Sequence, residues 1–258
     1  MTPPPTSTAI LVIHGAYFLP PSWDDFIARL KDRNFTVECP RLPTCSDSKP
    51  PTATLADDVF VVRSAARSLI EAGHKILVLA HSYGGMVASE AITPDLYSSN
   101  KDEGHGIVSL VLLSAWLVQP NSSLHDVIAK YGFQCDVDLG SDDGGSTVYA
   151  KNAPESFYND IARERAEKLT RDNVTHNWAA AGGGISGAPW KEIESVYVHL
   201  KQDLAIKLPL QESMVQEAVK AGGKIRPEEL DSGHCPFLSR AEELVGIVVK
   251  AAGYVDSG

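Results

Sequence analysis

Short apolar runs closed by turn residues alternate along this chain with longer stretches whose apolar positions recur every three or four residues. Ala9–Ile13 reads AILVI and stops at His14-Gly15, which predicts a strand covered on both faces. Between Ser22 and Arg33, apolar Trp23, Phe26, Ile27 and Leu30 follow helical spacing, with Ser22 and Asp25 as a capping pair. Thr36–Cys39 predicts a short second strand that Pro40 ends. Thr54–Ala72 predicts a long helix with Leu55, Val59, Val62, Ala66, Leu69 and Ile70 as its stripe and Gly73 as its stop. Lys75–Ala80, Ile107–Leu113, Ser195–Leu200 and Lys224–Leu230 predict four more strands. Helices are expected at Met86–Ile92, near Leu210–Ala221 and from Ser239, where Glu242 completes a second capping pair. Strand followed by helix, repeated, predicts an α/β fold: a doubly wound, mainly parallel sheet of about six strands with right-handed crossovers.

One stretch breaks the rhythm. From about Leu117 to Glu192 the chain holds a Gly- and Asp-rich segment (140–146), a charged stretch expected to be helical (Pro154 to Arg171) and a glycine run (182–184), with no buried strand evident. The expectation is a single domain over 1–258, with a core of 1–116 and 193–258 and an inserted lid at about 117–192.

Composition narrows the partners. There are 23 basic against 33 acidic residues, a net charge of −10, and no cluster of Lys and Arg. Nucleic acid and anionic membrane surfaces both need concentrated positive charge, so neither is expected as a partner. The first apolar run is too short for a secretory leader and no run approaches a membrane span, so a cytoplasmic protein is expected. On that route the sequons at Asn121 and Asn173 are incidental. Four cysteines without paired short spacings are read as unlinked thiols, although Cys39 and Cys45 could meet. The partner expected is a small-molecule substrate, bound by a monomer or homodimer.

The chemistry concentrates in Ala80-His81-Ser82-Tyr83-Gly84, set between an apolar strand and an apolar helix. It fits the nucleophile elbow G-x-S-x-G with Ala80 in place of the first glycine. Small flanking residues are needed because the serine takes a strained backbone conformation that larger neighbours would obstruct. The chain order Ser, acid, His then directs the search to the C-terminal part. His234 follows the last strand in Asp231-Ser232-Gly233-His234, and Asp203 stands just past the strand at 195–200. Asp231 is the competing acid. Asp203 is favoured because the acid usually arrives on its own loop. The oxyanion hole is expected from the backbone N–H groups of Tyr83 and Ala16, the latter in the loop after the first strand. His14 and His81 are read as structural residues beneath the site.

These residues resemble those of the small α/β-hydrolases related to plant methylesterases and hydroxynitrile lyases. The resemblance rests on His14-Gly15-Ala16-Tyr17 with Pro21-Ser22-Trp23, His81-Ser82-Tyr83-Gly84-Gly85-Met86, and Asp203 with Ile206, Pro209 and Gln211. It closes on Gly233-His234-Cys235-Pro236-Phe237-Leu238-Ser239, and Phe157-Tyr158-Asn159-Asp160 and Pro189-Trp190 look like the lid of the same group. The resemblance implies a Ser82–His234–Asp203 serine hydrolase of carboxylesterase type, acting on an ester, lactone or related acyl substrate without metal or organic cofactor. It strengthens Asp203 over Asp231. The lyases of this group carry a lysine directly after the histidine; Cys235 stands there instead, which demotes cyanohydrin cleavage. Tyr17, Trp116, Tyr131, Phe133, Phe157, Trp178 and Trp190 are the candidate pocket walls. Two other functions remain open at this point: a lyase or cyclase using His234 as base, and a non-catalytic small-molecule receptor.

Overall fold

The computed structural model describes residues 8–98, 104–132 and 135–253; Phe133 lies outside them. Six strands form one sheet: β1 (Thr8–Ile13), β2 (Thr36–Glu38), β3 (Lys75–His81), β4 (Gly106–Leu113), β8 (Ser195–Leu200) and β9 (Ile225–Leu230), in the order β2-β1-β3-β4-β8-β9. Every pairing in it is parallel. Between β4 and β8, a second sheet joins three short strands antiparallel: β5 (Leu139–Gly140), β6 (Thr147–Ala150) and β7 (His176–Asn177).

Two apolar layers sandwich the main sheet, and the alternation of β1 shows why. Ala9, Leu11 and Ile13 point into one layer; Ile10 and Val12 point into the other. The first layer is filled by α2 (Leu55–Glu71), α3 (Gly84–Ala91) and α8 (Leu208–Lys220), through residues such as Val62, Met86 and Met214. The second is filled by α1 (Asp24–Lys31) and α10 (Ala241–Ala251), through Phe26, Leu30, Leu244 and Val248. Strands buried on both faces have no use for polar residues, which explains the near-continuous apolar runs.

Helix ends depart from the sequence reading in instructive places. At α2, Thr54 and Asp57 form a reciprocal capping box, and Gly73 follows with φ +86°. The Ser22–Asp25 cap does not form, because Pro20 and Pro21 open a 3-10 turn that leads into α1. The Ser239–Glu242 cap is also absent. Instead α9 (Pro236–Ser239) ends there, and the Ser239 hydroxyl donates to Asp160 Oδ2 at 2.6 Å.

The charged stretch 154–171 is not one helix. It breaks into α5 (Ala153–Ser156) and α6 (Arg163–Thr170), with Phe157 and Tyr158 between them turned into the core. Burying those two aromatics outweighs continuing a helix whose remaining faces are polar. The strands β5 to β7 escaped the sequence reading because runs of two to four residues carry almost no periodicity. The four cysteines are unlinked. Among the described residues no helix is long and apolar enough to cross a membrane.

Candidate active site

Parallel strands bring their C-terminal ends to one edge, and the loops leaving that edge build the site. Ala16 follows β1, Ser82 follows β3, Ser114 follows β4, Asp203 follows β8 and His234 follows β9. Five loops far apart in sequence therefore open onto one place.

Ser82 occupies the turn between β3 and α3 with φ +53°, a left-handed conformation that costs a residue with a Cβ about 1–3 kcal/mol. The turn is held on both sides. Ser82 N–H donates to Leu113 O at 3.2 Å, and Ser82 O accepts from Gly85 and Trp116 N–H at 2.9 and 3.0 Å. Space explains the neighbouring glycines. A Cβ on Gly84 would lie 2.3 Å from Ile13 O, and one on Gly15 would lie 2.9 Å from Ser82 Cβ. Ala80, the departure from the elbow pattern, packs its methyl fully buried in the first apolar layer.

His234 and Asp203 meet directly, with Nδ1 2.8 Å from Oδ2. The Asp203 carboxylate also accepts from Ser114 Oγ at 2.6 Å and from the Ala205 and Ile206 N–H groups at 2.7 and 2.9 Å. Four donors converge on a group that can only accept when ionised, so Nδ1 carries the imidazole proton and Nε2 keeps its lone pair. Asp231 is exposed and accepts from Gln202 Nε2 at 2.9 Å instead. The structure thus separates the two candidate acids: Asp203 is the one beside the imidazole.

Buried neutral histidines frame this chain. His81 Nε2–H donates to His234 O at 2.9 Å, and burial holds its pKa well below the ordinary value. His14 Nδ1–H donates to Gly15 O at 2.9 Å while Nε2 accepts from Leu42 N–H at 3.1 Å, fixing the loop that bears Ala16. Burial lowers His14 to about 4, so it stays neutral and keeps that donor–acceptor pair.

A third polar group braces Tyr83. Asp58 of α2, fully buried, accepts from Tyr83 Oη at 2.9 Å, Thr44 Oγ1 at 2.6 Å and Thr44 N–H at 3.0 Å. Burial raises its pKa to about 6 against the pull of those donors.

Above the serine lies a chamber lined by Ala16, Tyr17, Ser82, Tyr83, Trp116, Leu124, Val137, Leu139, Phe157, His176, Trp178, Ala181, Ala205, Ile206 and His234. Its free volume is about 60 Å³, small beside the ~300 Å³ at which ligand pockets usually begin. Tyr17, with φ +71°, stacks on Phe157 at 5.5 Å between ring centroids. Tyr17, Trp116, Phe157 and Trp178, four of the expected wall residues, line this chamber.

Two expected wall residues do not. Tyr131, on α4 (Leu124–Tyr131), turns its hydroxyl to Glu217 of α8 at 2.5 Å. Trp190, in the 3-10 turn at Pro189–Lys191, is fully buried in the first apolar layer, where a Cβ on Gly223 would lie 2.9 Å from its ring.

What the sequence reading missed are polar supports, including the role of Asn159 and Asp160, which it named only as part of a lid. Ser114 reaches Asp203 from 89 positions away. Asp160 Oδ2 accepts from Gly233 N–H at 2.9 Å, and Asn159 Nδ2 donates to Gln202 O at 2.9 Å, so the break between α5 and α6 ties down both the His234 and Asp203 loops. Asp58 and His176 carried no motif. A polar residue on an apolar helix face was the one available signal, and only Asp58 offered it.

Comparison with known proteins agrees with this architecture. The model of the alpha/beta hydrolase family matches residues 10–247. The chain is 28% identical over 253 residues to the alpha/beta hydrolase nvfD of Aspergillus novofumigatus, covering 95% of this chain and 96% of that protein. It is 25% identical over 250 residues to the probable hydrolase R7 of Phoma sp., covering 96% and 99%. A pyrethroid hydrolase from Sphingobium faniae shares the fold, with a TM-score of 0.72, 20% identity and coverage of 96% and 98%. A family match over nearly the whole chain, on a parallel sheet that carries a strained serine at its C-terminal edge, leaves one conclusion: this chain belongs to the alpha/beta hydrolase family.

Proposed function

We propose that this α/β-hydrolase cleaves a small, largely apolar carboxylic ester or lactone by acyl transfer through Ser82. The observation that carries the reading is the saturated carboxylate of Asp203, which fixes the proton on His234 Nδ1 and leaves Nε2 as the base. His234 Nε2 takes the Ser82 Oγ proton as the oxygen attacks the carbonyl carbon, and the resulting imidazolium is stabilised by Asp203. The oxyanion is held by the N–H groups of Ala16 and Tyr83, and the imidazolium then protonates the departing alcohol. Water, deprotonated by the same nitrogen, attacks the acyl-enzyme; collapse releases the acid and restores Ser82.

The segment between β4 and β8 acts in this reading as a lid. Its Leu124, Val137, Leu139, Phe157, Trp178 and Ala181 supply an apolar wall, which favours an apolar acyl or alcohol group. Cys235, buried directly after His234 with its thiol pushed well above the usual range by desolvation, offers no positive charge. That favours acyl transfer over a lyase step that would need to stabilise a released anion.

The test uses short-chain p-nitrophenyl esters and a fluorophosphonate. Hydrolysis is expected, with one equivalent of phosphonate bound to Ser82 and both signals lost in Ser82→Ala. Activity that survives Ser82→Ala would replace the acyl-enzyme reading with direct base catalysis by His234.

A further inference from the structure

His176 lies in the wall of the chamber and is 1% exposed, yet neither of its ring nitrogens has a hydrogen-bond partner. A buried imidazole left in this state is costly unless something else completes it. Among the described residues with an unpartnered buried side-chain nitrogen or oxygen, it is the one that also lines the chamber; Trp23, His81, Gln119, His125, Asp160, Trp190 and His199 do not.

Its position is well defined. The backbone of β7 pairs Val148 with His176 on one side and bridges to Cys45 on the other, so the residue sits at the seam between the inserted segment and the loop after β2. The ring is set edge-on to Tyr83 at 4.6 Å and to Tyr17 at 6.0 Å between centroids. Burial lowers its pKa to about 3, so at working pH it is neutral, with one N–H donor and one acceptor nitrogen.

We infer that His176 is a specificity residue, whose imidazole hydrogen-bonds a neutral carbonyl or hydroxyl group of the substrate away from the scissile bond. The inference rests on the Ser82 hydrolase reading. It narrows the substrate to an apolar ester that carries one further uncharged polar group. Tyr83, whose hydroxyl is committed to Asp58, and Tyr17 flank the ring, and His176 adds to this apolar wall both a donor and an acceptor that no protein group uses. A carboxylate would gain no ion pair from a neutral ring, and its desolvation would count against it.

Two matched pairs of esters test this and locate the group. p-Nitrophenyl pentanoate against p-nitrophenyl 4-oxopentanoate probes the acyl side; propyl butanoate against 2-oxopropyl butanoate probes the alcohol side. After correction for intrinsic alkaline reactivity, the oxo member of one pair should be favoured at least about tenfold in kcat/KM by the wild type. That ratio should fall to within about twofold in His176→Phe and recover in part in His176→Gln, which restores a donor and an acceptor. The wild-type ratio needs no variant, so a His176→Phe protein that fails to fold leaves the test intact. Turnover of the plain esters with no oxo preference in either pair, or a preference that persists in His176→Phe, overturns the assignment and leaves Ser82 hydrolysis standing. No turnover of any ester and no phosphonate labelling overturns both.

Discussion

The floor and the roof of the chamber are built on opposite principles. On the floor, at the C-terminal edge of the main sheet, nearly every polar atom near the reaction centre is spoken for: Asp203 has four donors, Ser82 is held by both its N–H and its carbonyl, and His14 uses both ring nitrogens. In the roof, residues 124–181, strands of two to four residues alternate with helices of four to eight, the walls are mostly apolar, and the chamber-lining His176 has no partner on either ring nitrogen. The floor spends conformational freedom during folding so that none is lost at the moment of reaction. The roof, in the proposed reading, supplies the apolar wall that a ligand meets. The expected consequence is that floor substitutions change kcat and roof substitutions change KM.

The largest effects test the floor. Ser82→Ala and His234→Ala should each lower kcat by roughly 10⁶-fold, and Asp203→Asn by roughly 10⁴-fold, since the geometry survives but the wrong nitrogen is protonated. Asp231→Asn, at an exposed carboxylate bound to Gln202, should stay within about twofold. Steady-state kinetics on one p-nitrophenyl ester checks all four, and a larger loss in Asp231→Asn would reassign the acid. Gly15→Ala should cost about 10²–10³-fold in kcat, because the new methyl meets Ser82 Cβ at 2.9 Å and shifts the Ala16 N–H off the oxyanion position. Trp178→Ala, by contrast, should raise KM by about tenfold with little change in kcat.

Asp160 can break the comparison. It belongs to the inserted segment, yet its carboxylate holds Gly233 N–H and Ser239 Oγ, directly beside His234. Asp160→Ala should therefore behave as a floor substitution, lowering kcat by about 10–10²-fold through displacement of the imidazole. If it raised KM alone, the α5–α6 break would be a roof element only and the two regions would be independent.

What was legible in the sequence follows the same division. Ser82, Asp203 and His234 stood out because steric demand at the elbow and the ends of apolar strands restrict both residue type and position. The layered sheet was legible because strands buried on both faces leave unbroken apolar runs. Ser114, Asp58 and the hold of Asp160 on the His234 loop were not, because these contacts span 89, 25 and 73 positions and a single Ser or Asp carries no periodic signal. Trp190 misled for a related reason: a tryptophan next to a proline in the inserted segment looks like a lid residue, while its partners Gly223 and Lys224 lie just after α8, more than 30 positions on.

The smallest effect concerns stability, and it sets the buried histidines against the buried acid. His14, held near 4, and His176, held near 3, are neutral in the fold, whereas unfolded histidine titrates near 6.5. Between those values the unfolded chain binds more protons, so stability falls as pH falls from about 6.5. At pH 5 each histidine has removed about 2 kcal/mol. Asp58 works in the other direction. Its folded pKa of about 6 lies above the unfolded carboxyl value, so between about 6 and 4 the folded state binds more protons and acid favours it. It returns about 1.4 kcal/mol by pH 5, leaving a net loss of about 2.6 kcal/mol from these three groups. For a chain of this size that is a Tm lower by roughly 5–10 °C at pH 5 than at pH 7. Differential scanning calorimetry at the two pH values should show the drop widen in Asp58→Asn, which removes the opposing group, and narrow in His176→Phe, which removes one of the two losses. A drop that narrowed in Asp58→Asn would mean that Asp58 is ionised in the fold well below pH 6, so that the three donors from Thr44 and Tyr83 outweigh its burial.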